Sequence, residues 1–567
     1  MWMISVRRMA VWVVMWLAGL FAMQVEALAA ELGETDQKTH DALLLTFDQH
    51  FFPERVPDNS FSVDVRNFGA KHAHDSGEGW ACLTGLVMEL KENWDLFTPA
   101  EKKEMTEILA PWKDDLLDSR PAADPDAPPP PSPCLDYYYD DYVESEHFSV
   151  QWSSGFSASE ADEFIESLEY SWDVEVEELG WEQPEGTPQY QTQVIVYPGN
   201  YAGAYTTVEW CSGVGYVPYI VAYTGSFSTG SWWKTMACHE FAHASQFSYG
   251  YAHEFWWWEA SATYIEEYVY PQFNDWADMT YVYSMVPYIG MNASAGNSND
   301  QYLFYHTYAM AIWGFYLDQH VGGHDLVLET WEYSANRTGQ YNLWMPTAID
   351  GAGEDFDEIY PGFLAVNAFM DYDESNYFYD ADITESVSEY PNEGNADSDT
   401  KPQSLGQNFI RFRGSSAEDG DTLTVEFDGD DGPTWFAILA KGSSSVDEVV
   451  EFDLDSDGAG VASIVMDGYQ DVFLVVSPMD DDAVGYSYDW SRADDWDYNW
   501  SAYLNDDLGQ DDASDGSSSG GDGGSSGGGK DKGRDNPLCG CSSTRGSGLF
   551  GWFALGLGAV LMRRRRN

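Results

Sequence analysis

The pattern of apolar and polar positions predicts strands and helices between residues 146 and 400. His147–Trp152 alternates like a strand, and Thr192–Tyr197 and Tyr219–Tyr223 are short apolar runs of the kind found in buried strands. Apolar residues at helical spacing predict helices at Ser159–Leu179, Ser231–Phe247, Glu259–Tyr270, Tyr302–Gln319 and Pro361–Phe369. Strands that come first and helices that dominate later predict an α+β fold for this region.

The pattern becomes purely strand-like between residues 401 and 497. Short apolar runs recur at nearly regular spacing and are separated by Gly, Asp and Ser, which is typical of an all-β sandwich. The predicted strands are Phe409–Phe412, Thr422–Phe427, Thr434–Ala440, Val449–Leu454, Val461–Met466, Val472–Val476 and Tyr486–Trp490. We therefore predict an α+β domain that is followed by a β-sandwich domain.

The N-terminal part of the chain has the composition of segments that are processed or that act as spacers. Residues 1–29 contain Arg7 and Arg8, an apolar run and an Ala-Leu-Ala site, which is the pattern of a secretory signal peptide. Residues 30–120 include a helix that follows a capping box, and they form either a propeptide or an attached accessory region. Residues 121–145 are a proline-rich acidic linker.

The C-terminal part predicts a flexible stalk and an attachment signal. Residues 498–538 are rich in Gly, Ser and Asp. Residues 539–567 begin with Cys-Gly-Cys, continue with the apolar run Leu549–Met562 and end in the basic cluster Arg563–Arg566. This tail resembles the MYXO-CTERM sorting signal of myxobacterial surface proteins. The resemblance implies export, transient membrane attachment through the tail, and a location at the cell surface (outer membrane) or outside the cell.

The charge of the chain excludes one class of function and favours the binding of cations. Lys and Arg number 26 against 96 Asp and Glu, which gives a formal net charge of −70. Nucleic-acid binding needs a basic face, so we expect no nucleic-acid partner. Asp453–Gly458 matches the first half of a calcium loop, but Ile464 stands at its twelfth position, so the loop is not an EF-hand. Ca²⁺ is therefore a second cofactor candidate, with a plain hairpin turn as the alternative.

The sequence His239-Glu240-Phe241-Ala242-His243 is the strongest chemical signal in the chain. His239 and His243 lie on one helix face, where their imidazoles can bind one Zn²⁺. Glu240 is rotated away from the ion and can take a proton from a zinc-activated water molecule. A catalytic zinc ion needs a third protein ligand, and Glu259 on the next helix is the best candidate. Glu266, two turns beyond Glu259, is a candidate to support the ligands, and a structural pair of histidines is the alternative interpretation.

The residues HEFAH and WWWEASATYIEE resemble the gluzincin branch of the zincin metallopeptidases. With the predicted signal peptide and tail, the chain is similar to secreted metallopeptidases of myxobacteria. The resemblance implies a zincin-like domain in which His239, His243 and Glu259 bind zinc and Glu240 is the general base. It also implies that a later helix supplies an oxyanion-stabilising Tyr or His. The candidates for this role are Tyr305, His306 and Tyr308.

The cysteines allow disulfides in an exported protein. Two of the 6 cysteines belong to the tail, and proximity in sequence favours the pairs Cys82–Cys134 and Cys211–Cys238 among the others. The alternative is a free Cys82 that acts on the metal as the thiol of a zymogen.

These observations predict an exported zinc metalloendopeptidase that hydrolyses protein or peptide substrates. One alternative is a non-catalytic adhesin or binding protein that retains a zincin fold, and another is a zinc hydrolase of a non-peptide bond. The sequence leaves the oligomeric state open.

Overall fold

A computed structural model describes most of the chain between residues 81 and 505. The described residues are 37, 39–48, 50–52, 55, 81–110, 116, 139 and 141–505, with gaps in the last range at 188, 212, 229, 251–254, 294–300, 335–343, 414–419, 467–469 and 481–494. They all belong to one compact unit, Met1–Gly509. The predicted signal peptide, most of the linker, most of the stalk and the whole predicted tail lie outside them. None of the described helices has the length and apolar character needed to cross a membrane.

A 6-stranded sheet forms the centre of the first region. Its strands are β1 (Ala81–Cys82), β2 (Asp141–Glu144), β3 (Phe148–Trp152), β4 (Thr192–Tyr197), β5 (Gly203–Cys211) and β6 (Gly215–Tyr223). Their order in the sheet is β1-β5-β6-β4-β3-β2. Strands β3, β4 and β6 run parallel, and β5 is antiparallel to β6. The two-residue strand β1 pairs in parallel with the start of β5.

Helices surround and follow this sheet. They are α1 (Thr84–Glu92), α2 (Pro99–Leu109), α3 (Ala158–Trp172), α4 (Trp233–Gln246), α5 (Phe255–Val269), α6 (Trp276–Met285), α7 (Gln301–Ala309), α8 (Ala311–Tyr316), α9 (His324–Ser334), α10 (Trp344–Ala352) and α11 (Phe356–Phe369). Val150 and Val194 on one face of the sheet share an apolar core with Phe164 of α3 and Phe241 of α4. The helix that carries the HEFAH sequence is therefore packed directly on the sheet.

The opposite face of the sheet is covered by the N-terminal part of the chain. Ile195, Tyr205 and Tyr219 of the sheet share a second apolar core with Leu86 and Leu90 of α1. Helix α2 begins with the predicted capping box, in which the side chains of both partners bond to backbone amides. The described residues of the predicted N-terminal region are thus integrated into the fold as a layer on the sheet.

Two further sheets pack face to face in the second region. Their strands are β7 (Glu385–Val387), β8 (Asn392–Asn395), β9 (Asn408–Arg413), β10 (Thr422–Gly429), β11 (Thr434–Gly442), β12 (Val446–Glu451), β13 (Ala459–Val465), β14 (Asp471–Met479) and β15 (Tyr498–Leu504). The 4-stranded sheet has the order β13-β10-β15-β8, and the 5-stranded sheet has the order β12-β11-β14-β9-β7. Leu423 and Val425 of one sheet meet Leu439 and Leu474 of the other in a shared apolar core.

The structure confirms the α+β class and corrects several predicted boundaries. The predicted helix Tyr302–Gln319 is divided between α7, α8 and a π-helical turn, Leu317–Val321. The sandwich extends beyond 401–497, because β7 and β8 precede that range and β15 ends at Leu504. The predicted strand Tyr486–Trp490 lies outside the described residues.

Candidate metal centre

Four side chains from three separate segments meet at one buried point. The donor atoms of Cys82, His239, His243 and Glu259 all lie within 4.8 Å of one another. The two histidines come from α4, Glu259 from α5, and Cys82 from β1. Two imidazole nitrogens, a carboxylate oxygen and a thiol sulfur are all typical ligands of Zn²⁺. The residues present therefore fit a zinc ion.

The shortest contacts within this group place both Nε2 atoms at its centre. His239 Nε2 is 3.2 Å from Glu259 Oε2, and His243 Nε2 is 3.6 Å from the same oxygen. His243 Nε2 is also 3.3 Å from Cys82 Sγ. The two rings are nearly perpendicular, with their centroids 4.8 Å apart. This arrangement brings the three predicted ligands together, with Cys82 as a further donor.

The other nitrogen of each histidine bonds to a buried side chain. His239 Nδ1 is 2.8 Å from Glu266 Oε1, and His243 Nδ1 is 2.7 Å from Gln246 Oε1. Gln246 is itself oriented, because its Nε2 donates to Ser261 Oγ and to the Trp258 carbonyl. When Nδ1 of each histidine carries the proton, Nε2 keeps its lone pair for a metal ion. Glu266 thus contacts a candidate ligand as the sequence predicted. Gln246 orients the second histidine in the same way and was not predicted.

Two carboxylates shape the electrostatics at His239. Burial lowers the pKa of His239, but its hydrogen bonds to Glu259 and Glu266 outweigh that effect and raise the pKa to about 10. For Glu259, burial raises the pKa, but the nearby histidines outweigh it and hold the pKa below its usual range. The site therefore stabilises a positive charge next to Glu259.

Glu240 is buried beside the cluster and is held through only one of its oxygens. Thr206 Oγ1 donates to Glu240 Oε2 at 2.7 Å, and Thr84 Oγ1 donates to the same oxygen at 3.3 Å. Among the described residues, Oε1 has no hydrogen-bond partner. Burial is the largest cause of a raised pKa at Glu240, and the two histidines and Thr206 oppose it. A carboxyl whose proton affinity is raised in this way suits proton transfer.

Cys82 is a free thiol in the structure, so the favoured disulfide pairing is wrong. Cys238 is also free and buried, and its Sγ donates to the Thr235 carbonyl. The pairs Cys82–Cys134 and Cys211–Cys238 are therefore both excluded. The proximity argument failed because β1 pairs with β5, a strand more than a hundred residues away, and this pairing carries Cys82 to the cluster.

The three candidate oxyanion residues occupy different environments on α7. Tyr308 Oη donates to the Cys82 carbonyl at 3.1 Å, and its ring stacks near that of His239. Tyr305 is buried, and its ring lies 6.2 Å from that of Tyr308. His306 is also buried, which lowers its pKa to about 4. Tyr308 therefore has a hydrogen bond to a member of the cluster.

The candidate calcium loop has the geometry of a turn. Asp455 Oδ1 accepts hydrogen bonds from the amides of Asp457 and Ala459, at 2.9 and 3.1 Å. Gly458 has a positive φ of 79°, which a side chain rarely adopts. Within the described residues, Asp453–Gly458 do not form a convergent group of metal ligands like the one around Glu259.

Comparisons with known proteins give no family for this chain. No protein-family model and no curated protein matches it. Among solved structures, it is similar to the pre-peptidase C-terminal domain of a collagenase from Bacillus anthracis, with 8% identity over 22% of this chain and 99% of that chain, at a TM-score of 0.15.

Two further solved structures match the chain at a similar level. The first is PliG, a periplasmic inhibitor of g-type lysozyme from Aeromonas hydrophila, with 15% identity over 22% of this chain and 100% of that chain, at a TM-score of 0.14. The second is the GH115 4-O-methyl-α-glucuronidase BtGH115A, with 9% identity over 49% of this chain and 40% of that chain, at a TM-score of 0.13. Likenesses this weak carry no conclusion about activity, so the argument about function rests on the site itself.

Proposed function

We propose that the protein is a zinc-dependent metalloendopeptidase with a zincin-like catalytic domain that precedes the β-sandwich. The observation that carries the proposal is the convergence of His239, His243 and Glu259 beside Glu240, a buried carboxylate with one oxygen that has no hydrogen-bond partner among the described residues. A zinc ion held by these three ligands would lower the pKa of a water molecule to about 7 and polarise a carbonyl group.

Glu240 is the proposed general base. Thr206 fixes Oε2 through a short hydrogen bond, which leaves Oε1 to accept a proton from water. The same oxygen can return that proton to the amine that leaves when the peptide bond breaks. The raised pKa of Glu240 helps the first transfer, because a stronger base accepts a proton more readily.

Tyr308 is the proposed oxyanion stabiliser. Its hydroxyl already donates to a backbone carbonyl, that of Cys82, at the edge of the cluster. A substrate carbonyl at this position would receive the same hydrogen bond, which strengthens as negative charge develops on the oxygen.

An exported location fits this function and is part of the proposal. Residues 1–29 supply the secretory signal, and residues 539–567 supply the sorting tail that attaches the protein transiently to the membrane at the cell surface. Protein or peptide substrates would be met there. The β-sandwich then serves as a domain for attachment or for substrate binding.

The test combines metal analysis with hydrolysis of casein. The purified protein and its Cys82→Ala variant are expected to contain one zinc ion each, and the assay uses both because Cys82 lies among the ligands. Adding Glu240→Gln to Cys82→Ala should keep the zinc and reduce hydrolysis by about 10²–10⁴-fold, because the general base is lost. Retained zinc with equal hydrolysis by Cys82→Ala and by the double variant would rule out Glu240 as the base. Zinc in both proteins with no hydrolysis by either would favour the adhesin.

A further inference from the structure

The short segment Ala81–Glu92 contacts each part of the proposed catalytic machinery. Cys82 Sγ lies with the zinc ligands, 3.3 Å from His243 Nε2. Thr84 Oγ1 donates to the carboxylate of Glu240, and the Cys82 carbonyl accepts from Tyr308. Packing on the sheet alone does not require contacts with the proposed metal ligands, the proposed base and the proposed oxyanion stabiliser at once.

The backbone of this segment is fixed along β5, the strand that bounds the site. Ala81 and Cys82 pair with Gly203 and Ala204, and the Leu83 amide donates to the Ala204 carbonyl at 2.8 Å. An extended peptide that adds to a sheet edge is also how many proteins bind a peptide ligand. The segment therefore lies where a substrate strand could add to the sheet.

A second set of contacts anchors the segment beyond β1. The Thr206 amide donates to Thr84 Oγ1 at 2.8 Å, and Lys91 Nζ at the end of α1 donates to Thr207 Oγ1 at 2.7 Å. The apolar face of α1, with Leu86 and Leu90, is buried in the core on the sheet. The position of Cys82 is thus set by a folded element.

The number of protein donors determines whether a zinc site is open to water or closed. A catalytic zinc site keeps three protein ligands and one open position, whereas a structural site is closed by four. His239, His243 and Glu259 supply three donors, and Cys82 supplies a fourth. With the sulfur bound, no position is left for water, and Cys82, His239 and His243 are at most 5% exposed.

We propose that Ala81–Glu92 is an autoinhibitory segment, in which the Cys82 sulfur occupies the zinc position that water needs and Thr84 helps to anchor the segment at Glu240 Oε2. This inference rests on the proposed metalloendopeptidase function. The chain is then folded as a latent enzyme, and hydrolysis begins when Cys82 leaves the metal. Because the segment is held by β1 pairing and by the core around α1, its release requires cleavage or unfolding of this N-terminal layer.

The first experiment detects the bond from Cys82 without any use of activity. Replacing zinc by Co²⁺ in the full-length protein should produce a thiolate-to-cobalt charge-transfer absorption in the near ultraviolet. Cys82→Ser and Cys82→Ala should lose that absorption while still binding cobalt. Cys238→Ala is the matched control, because Cys238 is also a free buried thiol and its sulfur bonds to the Thr235 carbonyl instead. If Cys82→Ser keeps the absorption, or if the wild type lacks it with cobalt bound, the proposal is wrong.

The second experiment measures casein hydrolysis by the same zinc-loaded proteins. Cys82→Ser and Cys82→Ala should hydrolyse casein at least about tenfold faster than the wild type, whereas Cys238→Ala should not. Circular dichroism shows whether each variant is folded, and the near-isosteric serine guards against a packing defect. Equal hydrolysis by the wild type and both Cys82 variants would overturn autoinhibition and leave the proposed function standing. A cobalt–thiolate absorption with no hydrolysis by any folded variant would instead indicate a closed structural site and overturn both proposals.

Discussion

The candidate metal centre and the core of the sandwich are equally buried but are made of opposite kinds of residue. In the sandwich, Leu423, Leu439 and Leu474 are each 0% exposed and contact other apolar side chains. In the first region, His239 and Glu240 are also 0% exposed, and both are polar. Burial of apolar surface stabilises a fold by about 25 cal/mol per Å², whereas burial of a charge destabilises it unless the charge is paired.

The stability of the fold explains the buried apolar residues of the sandwich but not the buried polar residues of the candidate metal centre. The sandwich core needs no further ligand, because its residues gain stability by leaving water. In the candidate metal centre, the carboxylates of Glu259 and Glu266 lie on either side of His239, inside an apolar core. Such a group is stabilised when a cation completes it, so the polar interior points to a ligand and the apolar interior does not.

The largest expected effect comes from breaking the sandwich core with Leu474→Ala. Removing a fully buried leucine should lower the free energy of unfolding by about 2–5 kcal/mol, because it leaves a cavity. Zinc content should not change, since Leu474 faces the core shared by the two sheets. Urea unfolding and metal analysis of the purified variant check the two parts.

The matched control for this prediction is Val465→Ala. Val465 lies on β13 with 46% of its surface exposed, so the change should be within about 0.5 kcal/mol of the wild type. Loss of zinc from folded Leu474→Ala would show that the two interiors depend on each other.

The same contrast explains how far the sequence could predict the structure. Strands β10 and β13 were visible as short apolar runs separated by Gly, Asp and Ser, although exposed valines such as Val461 and Val465 hide which face is buried. The helix of the HEFAH sequence was predicted as Ser231–Phe247 and is observed as Trp233–Gln246. Local patterns that repeat over several residues were therefore sufficient for these elements.

The parts of the site that could not be predicted depend on long-range pairing. Strand β1 has two residues and no periodicity, so nothing local indicates that Cys82 pairs beside Ala204 of β5. Strand β5 itself was not predicted, although its Thr206 fixes Glu240. Gln246, by contrast, had a usable signal, because it follows His243 by three residues on the same helix.

An intermediate effect, on zinc affinity, is expected when Glu266, which contacts the candidate ligand His239, is replaced. Glu266→Gln should still accept a hydrogen bond from His239 Nδ1, but without the negative charge that strengthens the imidazole as a ligand. We expect zinc affinity to fall by about 10–100-fold, with the sandwich unaffected. Competition with a chromogenic chelator measures the affinity. Glu267→Gln is the control, because Glu267 accepts a hydrogen bond from Trp276 Nε1 and not from a candidate ligand. The zinc affinity of this variant should stay at the wild-type value.

The smallest expected effect, counted per pH unit, is a change in the pH dependence of stability at a buried acid that is not one of the candidate metal ligands. Asp275 is 5% exposed, and burial raises its pKa to about 8. Thr235 Oγ1 donates to Asp275 Oδ2, which lowers the pKa of Asp275, but the effect of burial is larger.

The sign of that dependence follows from the raised pKa. The unfolded carboxyl ionises near pH 4, whereas the folded one keeps its proton to about pH 8, so stability falls as the pH rises through this window. Asp275→Asn removes this dependence, and the variant should gain stability relative to the wild type by at most about 1.4 kcal/mol per pH unit within the window. Urea unfolding of both proteins at several pH values gives the difference. Parallel curves for the two proteins would mean that Asp275 is ionised in the folded state, and that this part of the interior already holds a negative charge without a cation.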